Sequence, residues 1–175
     1  IINTMLKKII FSIISFLAVI FLLVFTLGLE PENAESNPGV VFLSDIPWRS
    51  AYTGWINAAY DPLPKLNSAF HGAPLALGGE LYSKGIGTYP LSEIEYTLDG
   101  NYDALEAYIG IDKNATSNDG SVIFYIFADD KLVYNSDVMR KNSPSHHIKI
   151  SLYNASNLRL VVTDAGDGSQ GDFAD

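Results

Sequence analysis

The hydrophobic and polar positions divide the chain into two parts. Ile9 to Leu29 reads IIFSIISFLAVIFLLVFTLGL, twenty-one residues without a charge. That length lets a helix cross the roughly 30 Å hydrocarbon core of a bilayer. Residues 30–39 (EPENAESNPG) are polar with two prolines and read as a short linker. From Val40 onward, runs of β-branched and aromatic residues alternate with Gly, Asn, Asp and Pro clusters, the pattern of an all-β sandwich or barrel. Predicted strands are Val40–Leu43, Leu75–Leu77, Lys84–Thr88, Ser92–Leu98, Ala104–Ile111, Val122–Ala128, Lys131–Asn135, His146–Ser151 and Asn157–Thr163. Within Ser92–Leu98, Ile94, Tyr96 and Leu98 alternate with Glu93, Glu95 and Thr97, so one face is core and the other wet. Val122–Phe127 is apolar almost throughout, as in a central strand, and Ala128-Asp129-Asp130-Lys131 reads as the turn of a hairpin. No long 3.6-residue period occurs after residue 40, and no internal repeat is evident.

The domains expected are therefore residues 1–29 as a membrane anchor or signal segment, 30–39 as linker and 40–175 as one β-domain. Lys7 and Lys8 precede the apolar stretch, and Glu30, Glu32 and Glu35 follow it. This places the short N-terminus in the cytoplasm and the β-domain outside. The apolar stretch is longer than the roughly 7–15 residues of a signal peptide, and the small residues after it make a poor cleavage site, which favours an uncleaved anchor. Both readings export the β-domain.

Charge and composition narrow the function. Residues 30–175 carry nine basic and twenty acidic side chains, a net charge of −11, which excludes a basic nucleic-acid-binding face. With no cysteine, the chain has neither a disulfide framework nor a thiolate zinc site. Enzyme signatures are weak. Glu93 and Glu95 share the wet face of one strand, but any carboxylates two apart on a strand meet the separation of a glycosidase pair. No G-x-S-x-G elbow is present. His146 and His147 are adjacent on a strand and point to opposite sides, which argues against a shared metal. The glycines of LGGE and KGIG lack the GK[ST] ending of a phosphate loop and instead suggest bulges or close backbone approach. Asn114-Ala-Thr116 and Asn154-Ala-Ser156 match the glycosylation pattern.

Two constellations carry candidate chemistry. PWRSAYTGWINAAYD holds Trp48, Arg49, Tyr52, Trp55, Asn57 and Asp61. Sugar recognition needs an aromatic surface for the C–H face of the ring and planar polar groups for pairs of hydroxyls. This segment has that inventory, and packing of the tryptophans into the core is the competing reading. Tyr82 and Tyr89 flank KGIG, where a tyrosine forms either a cleft wall or packing. TDAGDGSQGDFAD holds Asp164, Asp167, Asp172 and Asp175 among three glycines. Clustered carboxylates on a glycine-rich turn suit Ca²⁺, which takes six to eight oxygens, and a solvated acidic loop is the alternative. Asp112, Asn118 and Asp119 form a second candidate set.

Four segments in chain order resemble the NPCBM family, also called carbohydrate-binding module family 51. They are VFLSDIPWRSAYTGWINAAYD, LALGGELYSKGIGTYPLSEIEYTLDGNYDALEAYIGID, SVIFYIFADDKLVYNSDVM and LRLVVTDAGDGSQGDFAD. The resemblance implies a jelly-roll-like antiparallel β-sandwich that binds galactose-type glycans without catalysis, often with a structural calcium and appended to a secreted glycoside hydrolase. Two departures stand out. Tyr89 lies where the family usually has His, and the family pattern continues beyond Asp175 with a Trp and a final strand. The expected function is extracytoplasmic glycan binding that tethers an associated glycoside hydrolase or surface protein, with the membrane reached through the N-terminal helix. The alternatives are a structural or adhesion module without a sugar site, and the N-terminal piece of a larger glycoside hydrolase.

Overall fold

A computed structural model of the chain describes residues 39–55, 62–115, 120–168 and 172–175. The apolar segment 9–29 and nearly all of the linker lie outside the described residues. Among the described residues, no helix is long and apolar enough to cross a membrane. The β-domain forms one unit from Val41 to Asp175.

The strands are β1 (Ser50–Tyr52), β2 (Lys65–Leu66), β3 (Leu75–Leu77), β4 (Glu80–Tyr82), β5 (Ile86–Gly87) and β6 (Ser92–Thr97). They continue as β7 (Ala104–Ile109), β8 (Ser121–Ala128), β9 (Lys131–Asn135), β10 (Met139–Arg140), β11 (His146–Ser151) and β12 (Asn157–Thr163). One antiparallel sheet runs β1-β6-β12-β8-β10, with β9 also paired to β8. The second layer is built from the pairs β7–β11, β2–β5 and β3–β4. Ala174 bridges Thr88 beyond β5 to Ile111 beyond β7, joining the β2–β5 and β7–β11 pairs.

The strand alternation explains the layering. Ile94 and Tyr96 of β6, Val122, Phe124 and Ile126 of β8, and Leu158 and Val162 of β12 are buried. They meet Leu105 and Ile109 of β7 and Ile148 and Ile150 of β11 in one core. Each such side chain contributes about 1.5–3 kcal/mol by leaving water. Tyr96 is fully buried, and burial pushes its phenol up to about 12. The central position expected for β8 is found, with β12 on one side and β9 and β10 on the other. Its outward-facing Phe127 is covered by the Arg159 guanidinium, 3.9 Å from the ring centroid. At the predicted hairpin turn, Asp129 and Asp130 have φ of 47° and 62°, the two left-handed residues of a type I′ turn.

Two expectations change. Val40–Leu43 is not a strand; Leu43–Asp45 forms a 3-10 turn, with the Asp45 amide bonded to the Phe42 carbonyl at 2.9 Å. LGGE is a tight hairpin: Gly78 and Gly79 have φ of 58° and 95° and join β3 to β4, with Leu77 opposite Glu80. Close backbone approach does hold for KGIG. A Cβ on Gly87 would lie 2.4 Å from the Ser68 carbonyl oxygen.

Candidate functional site

β1 and the turn after it distribute the PWRSAYTGW side chains between two places. β1 pairs with β6 so that Ser50 faces Glu95 and Tyr52 faces Glu93. Arg49 and Tyr52 therefore lie with the two glutamates on the outer face of the large sheet. Arg49 donates to Glu95 through Nε at 3.1 Å and Nη2 at 2.5 Å, and Ser50 Oγ adds a third bond at 3.1 Å. Glu93 accepts from Arg159 at 3.3 Å. Both glutamates are thus held in ion pairs. The Arg49 bond keeps the Glu95 carboxyl below its ordinary value, against a smaller opposing effect of desolvation. Tyr52 is exposed.

Trp48 and Trp55 are half-buried and pack against the core. Trp55 belongs to a five-ring cluster. Its ring stands edge-on to Tyr89 at 4.7 Å, Phe70 at 5.7 Å and His71 at 5.9 Å. His71 in turn meets Phe173 edge-on at 4.1 Å. Phe70, Tyr89 and Phe173 are buried, whereas His71 is exposed and Trp55 is partly so. The cluster is therefore a buried aromatic floor with a Trp–His rim at the surface. Tyr89, at 6 % exposure, is part of that floor and not an open cleft wall, because its ring packs against Trp55, Phe70 and Phe173. Asn57 and Asp61 lie outside the described residues. From the sequence His71 reads as a lone surface or satisfied histidine, and Phe70 and Phe173 carry no signal of their own. The available signal was a histidine directly after an aromatic and before a Gly-Ala-Pro turn.

The four aspartates do not converge on one centre. Among the described residues, no group of three or more His, Cys, Asp or Glu is placed to hold a metal. Asp175 faces Asp112 instead. The Asp112 carboxylate accepts from the Ala76 amide at 3.1 Å and the Asn114 amide at 2.5 Å. Burial first, and then the neighbouring Asp112, push the Asp175 carboxyl up to about 9. Asp172 is fully buried, and neither carboxylate oxygen has a hydrogen-bond partner. Burial first and then Asp167 raise it to about 6, opposed by the nearby Ser121 backbone and helped to a lesser degree by Asp164. Asp167 is occupied by Ser121 Oγ at 2.7 Å, and Asp164 by the Gly166 amide at 3.0 Å. Two orphaned buried oxygens beside two further carboxylates suit a hard cation in donor type, while the four-ligand set is not formed. Asn118 and Asp119 lie outside the described residues.

A family model described as the NPCBM/NEW2 domain matches residues 39–175. The chain belongs to the NPCBM/NEW2 family. Its solved neighbours are carbohydrate-binding modules. The CBM51 of Clostridium perfringens GH95, in complex with methyl-galactose, superposes with a TM-score of 0.69 at 31 % identity, over 77 % of this chain and 93 % of that one. The CBM51-2 and INT domains of C. perfringens ZmpB, in complex with GlcNAc, give 0.68 at 32 % identity, over 76 % of this chain and 29 % of that one. Among curated proteins, a putative endo-alpha-N-acetylgalactosaminidase of Renibacterium salmoninarum is 29 % identical over 131 residues, 73 % of this chain and 9 % of the relative. Alpha-1,3-galactosidase B of Akkermansia muciniphila is 32 % identical over 114 residues, 63 % and 14 % respectively. The NPCBM/NEW2 chain thus spans about a tenth of the length of the curated relatives it matches.

Proposed function

We propose that the domain is a non-catalytic module that binds galactose-type glycans, with the Trp55–His71 rim as its contact surface. The observation that carries this reading is the rim itself. A half-buried indole and an exposed imidazole stand over a buried aromatic floor. The indole offers a surface to the C–H face of a pyranose, and the imidazole can donate or accept at a hydroxyl. The relative solved with methyl-galactose supports the choice of sugar. Tethering to an exported surface through the apolar segment 9–29 and association with a glycoside hydrolase complete the proposal. The latter draws on the glycosidase names of the longer relatives. A structural Ca²⁺ at Asp172, with Asp164 and Asp167 beside it, would neutralise the buried carboxylate and brace the end of the chain. One observation favours the second reading, an adhesion module without a sugar site: Tyr89 is buried.

The test is calorimetric titration of the full chain, held in a detergent without a sugar headgroup, against methyl-galactoside, methyl-N-acetylglucosaminide and methyl-mannoside. Galactoside binding that weakens about tenfold in His71→Ala, about 1.4 kcal/mol, with little change in melting temperature, is the expected result. A folded protein that binds none of the three sugars gives the adhesion reading the better case.

A further inference from the structure

The register of β7 and β11 builds a second aromatic surface, from residues that are not part of the Trp55–His71 cluster. His147 pairs with Tyr108 and Lys149 with Glu106, on the face turned away from the core. Leu105, Ile109, Ile148 and Ile150 occupy the inner face. The Tyr108 ring stacks on His147 at 4.6 Å with an interplanar angle of 23°, and it remains 48 % exposed. Tyr82, delivered by β4, stands 5.6 Å from Tyr108. Glu106 holds His147 Nε2 at 3.0 Å and Lys149 Nζ at 3.2 Å, so both nitrogen heads are oriented on the strand face. The Tyr82 phenol is raised above its ordinary value, first by desolvation and then by Tyr108 and Glu80. Next to this patch is an open depression of about 500 Å³, lined by Tyr134, Ser145, His146, His147 and Lys149 among others.

We propose that the Tyr82–Tyr108–His147 face is a second glycan-binding site, which takes an internal neutral pyranose of an extended glycan. Cross-strand pairing accounts for the Glu106–Lys149 contact. It does not account for an exposed Tyr108 with a half-buried Tyr82 ring beside it on a short ribbon, since exposed aromatic patches mark interaction sites. The rings offer stacking to a sugar's apolar face, while Glu106 and Lys149 offer an acceptor pair and a donor for adjacent hydroxyls. Charge selects the sugar class. Glu80 and Glu106 outnumber Lys149, and the chain carries a net −9, so sialylated or sulfated sugars are repelled. Engaging a longer glycan at two surfaces raises its affinity over that of a single sugar.

The proposal rests on the glycan-binding reading above, and one experiment separates the two. The full chain in sugar-free detergent is titrated by NMR with methyl-galactoside, with the neutral tetrasaccharide lacto-N-neotetraose, and with its sialylated counterpart. The neutral tetrasaccharide is expected to shift the Tyr82, Tyr108 and His147 ring signals. Tyr108→Ala is expected to weaken it at least threefold while leaving the methyl-galactoside affinity unchanged. Tyr108→Leu, which keeps apolar bulk without the aromatic face, carries the same expectation if the alanine variant is poorly folded. Unmoved Tyr82 and His147 signals at saturation, equal affinity in both variants, or a preference for the sialylated sugar overturns the second site. If Trp55 and His71 signals respond and those of the second face do not, the second site alone falls. If neither surface responds to any sugar, both readings fall.

Discussion

Gly87 has no room for a side chain. Its Cβ would meet the Ser68 carbonyl oxygen at 2.4 Å and the Ala69 Cα and Phe70 amide nitrogen at 2.6 Å. These are backbone atoms, which cannot rotate aside. Gly87→Ala is expected to cost about 2–3 kcal/mol in chemical denaturation. It should also weaken galactoside binding, because the displaced segment carries Phe70 and His71. KGIG was legible as a close approach because glycine has few other reasons to recur inside a strand. The fate of Tyr89 was not legible. A tyrosine beside glycines is equally plausible as wall or floor, and its burial depends on Trp55, Phe70 and Phe173, which are distant in sequence.

At the scale of elements, β1 is held to the large sheet by its backbone ladder to β6 and by the Arg49–Glu95 ion pair. The folded carboxyl of Glu95 lies below its ordinary 4.5. Its stabilisation is therefore complete above that ordinary value and is lost as the pH falls through the depressed one. The wild type is expected to exceed Glu95→Gln by about 0.5–1 kcal/mol at neutral pH. That difference should shrink towards zero below about pH 4, read by urea denaturation across pH. The long strands were visible because period-two alternation over six or more residues survives local noise, as in β6 and β12. β1, β2 and β10 have two or three residues each, too few for a period, and exist because a neighbouring strand offers a ladder. β4 lacks a strand signal for a different reason: the Gly-Gly pair before it reads equally as a bulge or a close backbone approach.

Across the whole domain, residues 172–175 work as a tie. Ala174 bridges Thr88 and Ile111 in the second layer, while Asp172 comes close to Ser121 of β8 in the large sheet. A cation at Asp172 would act on both layers at once. Calcium at about a hundred times its Kd adds about 2.7 kcal/mol, several degrees in melting temperature. Chelation is expected to remove that increment. Asp172→Asn should melt independently of calcium and, without it, higher than the wild type, because a neutral amide is less costly to bury than a carboxylate. Scanning calorimetry of both proteins with calcium and with chelator is the check. A wild-type melting temperature indifferent to chelator removes the ion from the proposal.

Fold class, the outward placement of Glu93 and Glu95, the central place of β8 and the Asp-Asp hairpin all follow from local pattern, since alternation and turn chemistry act between near neighbours. The family too was legible, because its motifs recur in order along the chain. Assembly of the sites was not. Trp55, His71 and Phe173 meet only when the end of the chain bridges β5 and β7, and Asp175 turns to Asp112 through the same closure. Tyr82 and Tyr108, on separate strand pairs, come within 5.6 Å only in the folded domain. Such contacts are set by how the layers stack, and stacking has no period along the chain.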